Sequence, residues 1–216
     1  MSHIATLERL RLARVIGVIR VGHPGETAPA VAALAAGGLR AIELTWISPD
    51  PAAELAAARA EHGPKLLLGA GTLRSAADVE AAVEAGADFL VSPHFEPRLC
   101  AAMIDSQRLA LPGVFTPTEV AGALDAGAEA VKLFPSSTAG IAHMKALFGP
   151  FPGLRVVPTG GIGSTNAGEW LAAGAVAVGA GSELCPPASI AERRWDRLTE
   201  SAENFLDAVG PPAGER

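Results

Sequence analysis

Lys132 stands inside the apolar run Ala130-Val131-Lys132-Leu133-Phe134, and Glu43 stands inside Ala41-Ile42-Glu43-Leu44-Thr45. Both runs have the length and composition of a buried strand, in which successive side chains point to opposite faces. Val131 and Leu133 then share one face and leave Lys132 on the other with Ala130. Ile42 and Leu44 likewise leave Glu43 with Thr45. If the bulky pairs face covering helices, the amine and the carboxylate face the interior of the sheet. A lysine is almost never fully buried without a reason. The plain structural readings are a strand-end lysine whose amine reaches solvent and a Glu43 ion-paired with Arg20 or Lys132. The chemical reading is a Schiff-base lysine beside a proton carrier, and an ion pair is compatible with it. A free lysine titrates near ~10.4, so only about one in a thousand is a neutral nucleophile at pH 7. Desolvation disfavours the ammonium. A neighbouring carboxylate opposes that effect while ionised, and supplies a group that moves protons during carbinolamine formation and C–C cleavage.

Two glycine-bearing segments follow at later strand ends: Pro158-Thr159-Gly160-Gly161-Ile162 and Gly179-Ala180-Gly181-Ser182. Glycines let backbone N–H groups approach an anion closely, which makes Gly160, Gly161, Gly181 and Ser182 candidate phosphate ligands; ligand-free tight turns are the alternative. Arg20 closes the run Val15-Ile16-Gly17-Val18-Ile19 and offers a bidentate grip on a carboxylate or phosphate, or is a surface arginine with a local partner. Thr72, after Gly69-Ala70-Gly71, is either a hydroxyl donor to a carboxylate or a helix N-cap. Ser92-Pro93-His94 closes another run; Pro93 is a candidate substrate contact, and His94 either lines the pocket mouth or is an ordinary loop residue. The five histidines show no H-x-H or H-E-x-x-H spacing, so no metal site and no cofactor are expected.

The elements that must position these groups are eight short apolar runs: Val15–Ile19, Ala41–Trp46, Leu66–Ala70, Asp88–Ser92, Leu109–Pro112, Ala130–Phe134, Val156–Thr159 and Val176–Gly179. Ala-, Leu- and Glu-rich segments long enough for crossover helices separate them, the pattern of a parallel sheet covered on both faces. A weak repeat, AAGGLRAIEL, EAGADFLV, DAGAEAVKLF and AAGAVAVGAG, puts Gly37, Gly86, Gly127 and Gly174 where a helix closes in the left-handed conformation. Thr116-Pro117-Thr118-Glu119 reads as an N-cap, a first-turn proline and a capping-box glutamate. Eight such units in 216 residues predict a single-domain α/β fold, a (β/α)8 TIM barrel with an N-terminal helix, over residues 1–209, and a disordered tail over 210–216. An open doubly wound sheet is the structural alternative, but no G-x-G-x-x-G follows the first run.

Hydrophobic residues at 49% and charged residues at 19% give a globular balance, and a net charge of −6 provides no general field for nucleic acid or an anionic membrane. An anionic substrate must therefore be held by a local site. The two cysteines form neither C-x-x-C nor a disulfide framework; Met1–Arg14 lacks a signal-peptide apolar run, and no segment has the apolar length of a membrane span. A cytoplasmic location is expected.

The segments AGGLRAIELT, GAGTL, VSPHF, PGVFTPTE, AVKLFPSS, VPTGGI and GAGSEL, in this order over nearly the whole chain, resemble the 2-keto-3-deoxy-6-phosphogluconate / 4-hydroxy-2-oxoglutarate aldolase family, including its 6-phosphogalactonate members. The resemblance implies a trimeric, metal-independent class I aldolase. It implies that Lys132 forms the imine, that Glu43 is the general acid/base, and that Thr72 helps hold the pyruvate carboxylate. Thr159 would lie near the keto acid and Phe134 near the lysine, and Gly160, Gly161 and Ser182 would take the phosphate. Gluconate-type members carry a carboxylate-binding arginine four residues after the glutamate, where this chain has Ile47. Galactonate-type members carry one at the end of the first strand, matching Arg20. The expected reaction is cleavage of either phosphorylated keto-deoxy sugar acid to pyruvate and D-glyceraldehyde 3-phosphate. A phosphosugar isomerase or epimerase using Glu43 without an imine, and a non-catalytic phosphosugar-binding barrel, are the alternatives.

Overall fold

The computed structural model describes residues 2–211. Helix α1 (His3–Ala13), capped by the Ser2 hydroxyl accepting from Ala5 N–H, precedes the first strand. Strand and helix then alternate: β1 (Val15–Ile19), α2 (Thr27–Ala36), β2 (Ala41–Thr45), α3 (Pro51–His62), β3 (Leu67–Gly71), α4 (Ala76–Glu84), β4 (Phe89–Val91), α5 (Pro97–Asp105) and β5 (Leu109–Leu111). After them come β6 (Gly113–Val114), α6 (Pro117–Asp125), β7 (Val131–Leu133), α7 (Ser136–Phe148), β8 (Val156–Pro158), α8 (Ala167–Ala172), β9 (Val178–Ala180), α9 (Pro187–Ala191) and α10 (Trp195–Val209). All eight apolar runs form strands, with ends shifted by a residue or two. The run Leu109–Pro112 forms β5 as far as Leu111; Pro112, which has no N–H to give to a central ladder, separates it from β6, a short strand beyond the run.

Every paired strand is parallel. One sheet has the order β5-β4-β3-β2-β1-β9 and the other β6-β7-β8. The two meet at both edges: Thr159 bridges Gly179 between β8 and β9, and Lys132 N–H donates to Pro112 O at 2.9 Å between β7 and the β5–β6 junction. The result is a curled parallel sheet with an apolar cluster on each face. The inner cluster contains Ile16, Ala41, Leu67, Phe89, Val91, Leu109, Leu111, Ala130 and Val157, with Leu7 and Leu10 of α1 joining it from one end. The larger outer cluster joins the other strand faces to the helices.

Two expectations need correction. Gly37 has φ −73, and the following Gly38, at φ 96, takes the left-handed turn instead. Gly37 is pressed against α10, where a β-carbon would meet Ala202 at 2.7 Å. Thr72 does not cap α4; Ser75 does, in a capping box with Asp78. Of the expected tail, Gly210 and Pro211 are placed, with Arg14 donating to Pro211 O at 2.7 Å, and 212–216 lie outside the described residues. Among the described residues no helix is long and apolar enough to cross a membrane.

Candidate active site

The strand parity expected for Lys132 and Glu43 holds. The inner cluster includes Ala41 of β2 and Ala130 just before β7, so the residues two positions on, Glu43 and Lys132, face the same interior one layer higher. Glu43 is 2% exposed and Lys132 6%. Lys132 Nζ lies 3.6 Å from Glu43 Oε1, an ion contact longer than a hydrogen bond. Arg20 is exposed and takes no part in this pair. Glu43 Oε1, packed against Gly71, is buried without a hydrogen-bond partner, so the pair retains an unsatisfied acceptor.

Room for these groups comes from absent side chains. A β-carbon at Gly71 would overlap the Glu43 carboxylate, and one at Gly179 would overlap the Thr159 hydroxyl. These two glycines were passed over in the sequence; their inward parity beside a large polar residue is the signal that points to them. Thr159 is 8% exposed and is fixed to the end of β7 by Ser136, another residue that sequence reasoning missed. Ser136 N–H donates to Thr159 O and Thr159 N–H donates to Ser136 Oγ, both at 2.9 Å, while the Ser136 hydroxyl donates to Leu133 O. Phe134 leans over the site, its ring centroid 5.4 Å from Lys132 Nζ.

Thr72 follows β3 with φ 61. That conformation is an outlier for a β-branched residue and costs of order 1 kcal/mol, strain that accumulates at functional sites. On the neighbouring loops, Ser48 Oγ accepts from Val21 N–H at 3.3 Å and lies 3.2 Å from Thr45 Oγ1. Buried Glu26 accepts from Gly22 and His23 N–H. Together these bonds shape the turn that presents Arg20, which has no hydrogen bond or ion pair among the described residues. Pro93 is half-buried where Ser92 Oγ accepts from Gly113 N–H and donates to His94 O. His94 is exposed.

At the ends of β8 and β9, Gly160 and Gly161 adopt φ 90 and 77. The loop between β8 and α8 is braced by Asn166, which accepts from Gly163 N–H and donates to Gly161 O. Glu183 braces it from the loop after β9 by accepting from Ser164 N–H at 2.7 Å. Gly160 directly follows the Thr159–Gly179 bridge between β8 and β9, while the N–H groups of Gly161 and Ser182 have no partner among the described residues, so two donors remain open for an anion. Gly181, beside Ser182, has its carbonyl taken by Cys185 N–H.

A family model for KDPG and KHG aldolase matches residues 6–201. The chain belongs to this family. It is an aldolase, a carbon–carbon lyase. The 2-dehydro-3-deoxy-phosphogluconate aldolase of Treponema pallidum is 36% identical over 96% of this chain and 99% of its own length. A probable 2-dehydro-3-deoxy-6-phosphogalactonate aldolase of Rhizobium meliloti is 35% identical over 80% and 82%. Among solved structures, the KDPG aldolase of Legionella pneumophila, with pyruvate captured as a covalent carbinolamine, aligns with a TM-score of 0.86 and 32% identity. That alignment covers 92% of this chain and 97% of that one. The sequence resemblance is thereby borne out at the level of family, reaction class and curled parallel α/β fold.

Proposed function

We propose that this aldolase cleaves 2-keto-3-deoxy-6-phosphogluconate or 2-keto-3-deoxy-6-phosphogalactonate to pyruvate and D-glyceraldehyde 3-phosphate through an imine on Lys132. The observation that carries this reading is the buried Lys132–Glu43 pair with its unpartnered Oε1. The neutral amine adds to the substrate's C2 keto carbon, and the carbinolamine loses water to leave an iminium that withdraws electrons. Glu43, directly or through a water, takes the C4 hydroxyl proton. The C3–C4 electron pair moves toward the iminium nitrogen, the aldehyde departs, and an enamine remains. Protonation at C3 and hydrolysis then release pyruvate and restore the amine. Thr72 and Arg20 hold the carboxylate. Arg20 is the cation available for this, because the alternative position is occupied by exposed, apolar Ile47. Pro93, Phe134 and Thr159 line the keto acid, and Gly160, Gly161, Gly181 and Ser182 form the phosphate cradle. Binding energy from that remote phosphate positions the reacting carbons.

The edge contacts between the two sheets support a closed (β/α)8 barrel forming one domain over residues 1–209, and we infer a cytoplasmic homotrimer. Sedimentation equilibrium checks the assembly, with a mass of three times the 21.9 kDa chain expected. The mechanism is tested by borohydride reduction in the presence of pyruvate, read by intact mass and peptide mapping. A single reduced pyruvyl adduct on Lys132, absent from Lys132→Ala, is expected. A folded protein that gives no adduct sinks the imine reading and leaves an isomerase or a binding protein.

A further inference from the structure

Glu183 immediately follows Ser182, one of the two open N–H donors, and its side chain reaches from the loop after β9 to the loop between β8 and α8. Oε1 accepts from Ser164 N–H at 2.7 Å, and Oε2 lies so close to Gly163 that a β-carbon there would overlap it. No lysine, arginine or histidine forms an ion pair with this carboxylate among the described residues. The side chain therefore has two opposed effects on an anion held by Gly160, Gly161 and Ser182. As a hydrogen-bond acceptor it braces the loop that carries Gly160 and Gly161. As an uncompensated negative charge on a chain of net charge −6, it repels the anion that loop is shaped to hold. It also occupies the Ser164 N–H, which would otherwise be a further free donor on that loop.

Resting on the phosphate cradle proposed above, we propose that Glu183 sets the specificity of this site by weakening its hold on phosphate while bracing its loop. The enzyme thereby discriminates less sharply between phosphorylated and unphosphorylated keto acids than the open amides alone would allow. The two effects separate in Glu183→Gln. The amide oxygen still accepts from Ser164 N–H, so the brace remains and only the charge is lost. Near a surface, removing one like charge a few ångström from an anion is equivalent to about a threefold to tenfold gain in affinity, and the gain shrinks as salt screens it.

The experiment is steady-state cleavage of the phosphorylated sugar acid by the full chain, with inorganic phosphate as inhibitor, in wild type and Glu183→Gln at low and high ionic strength. The inhibition constant for phosphate and the KM are expected to fall together by about threefold to tenfold at low salt, with kcat changed far less, and the gap is expected to close at high salt. A purely structural brace would produce no salt-dependent gap. Equal inhibition of both proteins, or weaker inhibition of the variant, overturns the proposal while leaving the cradle in place. If phosphate does not compete with substrate even in wild type, the cradle reading itself falls and this proposal with it.

Discussion

A β-carbon at Gly71 would overlap the Glu43 carboxylate, so the position of Glu43, the proposed acid/base group, depends on the lack of a side chain at Gly71. Gly71→Ala forces the flexible Glu43 side chain to swing away, and the backbone has little reason to move. Displacement of a catalytic group by about 1 Å costs on the order of 10²-fold in rate. The expected outcome is a kcat lowered by about that factor with an unchanged circular dichroism spectrum and a pyruvyl adduct still trapped on Lys132. A variant with wild-type kcat would remove Glu43 from the mechanism. The two thiols are built for the opposite behaviour. Burial, assisted by the Glu96 charge, pushes Cys100 up to about 11, and burial alone pushes Cys185 up to about 12. At pH 8 about one in a thousand of the first and one in ten thousand of the second is thiolate, the reactive form. Iodoacetamide at pH 8 is expected to leave both unmodified in the folded protein and to label both in urea. Since Cys185 N–H holds Gly181 O, labelling of Cys185 alone under native conditions would reveal opening of the loop at the phosphate cradle.

The start of helix α6 was readable in advance. Thr116 Oγ1 accepts from Glu119 N–H, while Glu119 Oε2 accepts from Thr116 N–H at 2.7 Å, Phe115 N–H at 2.9 Å and the Thr116 hydroxyl at 2.7 Å. Burial raises the Glu119 carboxyl, but these hydrogen bonds outweigh it and hold the group below its ordinary 4.5. A carboxyl depressed in the folded state stabilises that state above its unfolded pKa, and the contribution disappears as pH falls through the folded value. Glu119→Gln is therefore expected to be less stable than wild type near neutrality, by about 1 kcal/mol as for a lost cap. The difference in urea midpoint should narrow as the pH drops below 4.5; a gap that stays constant with pH contradicts the charged-cap account. Such features are legible because they are local: a capping box, a strand parity or an apolar run depends on neighbours in sequence. By parity alone Lys132 and Glu43 were assigned to one interior. What stayed hidden depends on which loops meet in space. The Ser136 link between β7 and β8, the Ser48 contact to Val21 and the reach of Glu183 to the loop between β8 and α8 have no local pattern, and the choice of Gly38 over Gly37 was made by the packing of α10 on α2.

For the molecule as a whole, the curled sheet has one end that holds the Lys132–Glu43 pair and another that must be sealed. The inner cluster is small, dominated by Ile16, Leu67, Phe89, Leu109 and Leu111, and on the side away from Lys132 it is completed by Leu7 and Leu10 of α1. Leu10 is fully buried and Leu7 is 4% exposed. Helix α1 touches β1, β3 and β5, strands from separate parts of the same sheet, so it closes the interior without belonging to any strand–helix repeat. Truncating Leu10 opens a void among residues anchored on different strands, which cannot all move inward together, so the cavity persists. Leu10→Ala is expected to cost about 3 kcal/mol, which for a chain of this size is a fall in Tm of roughly 6 to 12 °C. Because the seal and the Lys132–Glu43 layer lie at opposite ends of the packed interior, kcat at a temperature where the variant is still folded should remain within about twofold of wild type, as for sites far apart without shared partners. Calorimetry and steady-state kinetics on the same preparation check both halves of this expectation. A small stability loss would mean that α1 lies on the sheet without sealing it. A large loss of kcat at full folding would mean that the inner cluster transmits the state of its sealed end to the catalytic one.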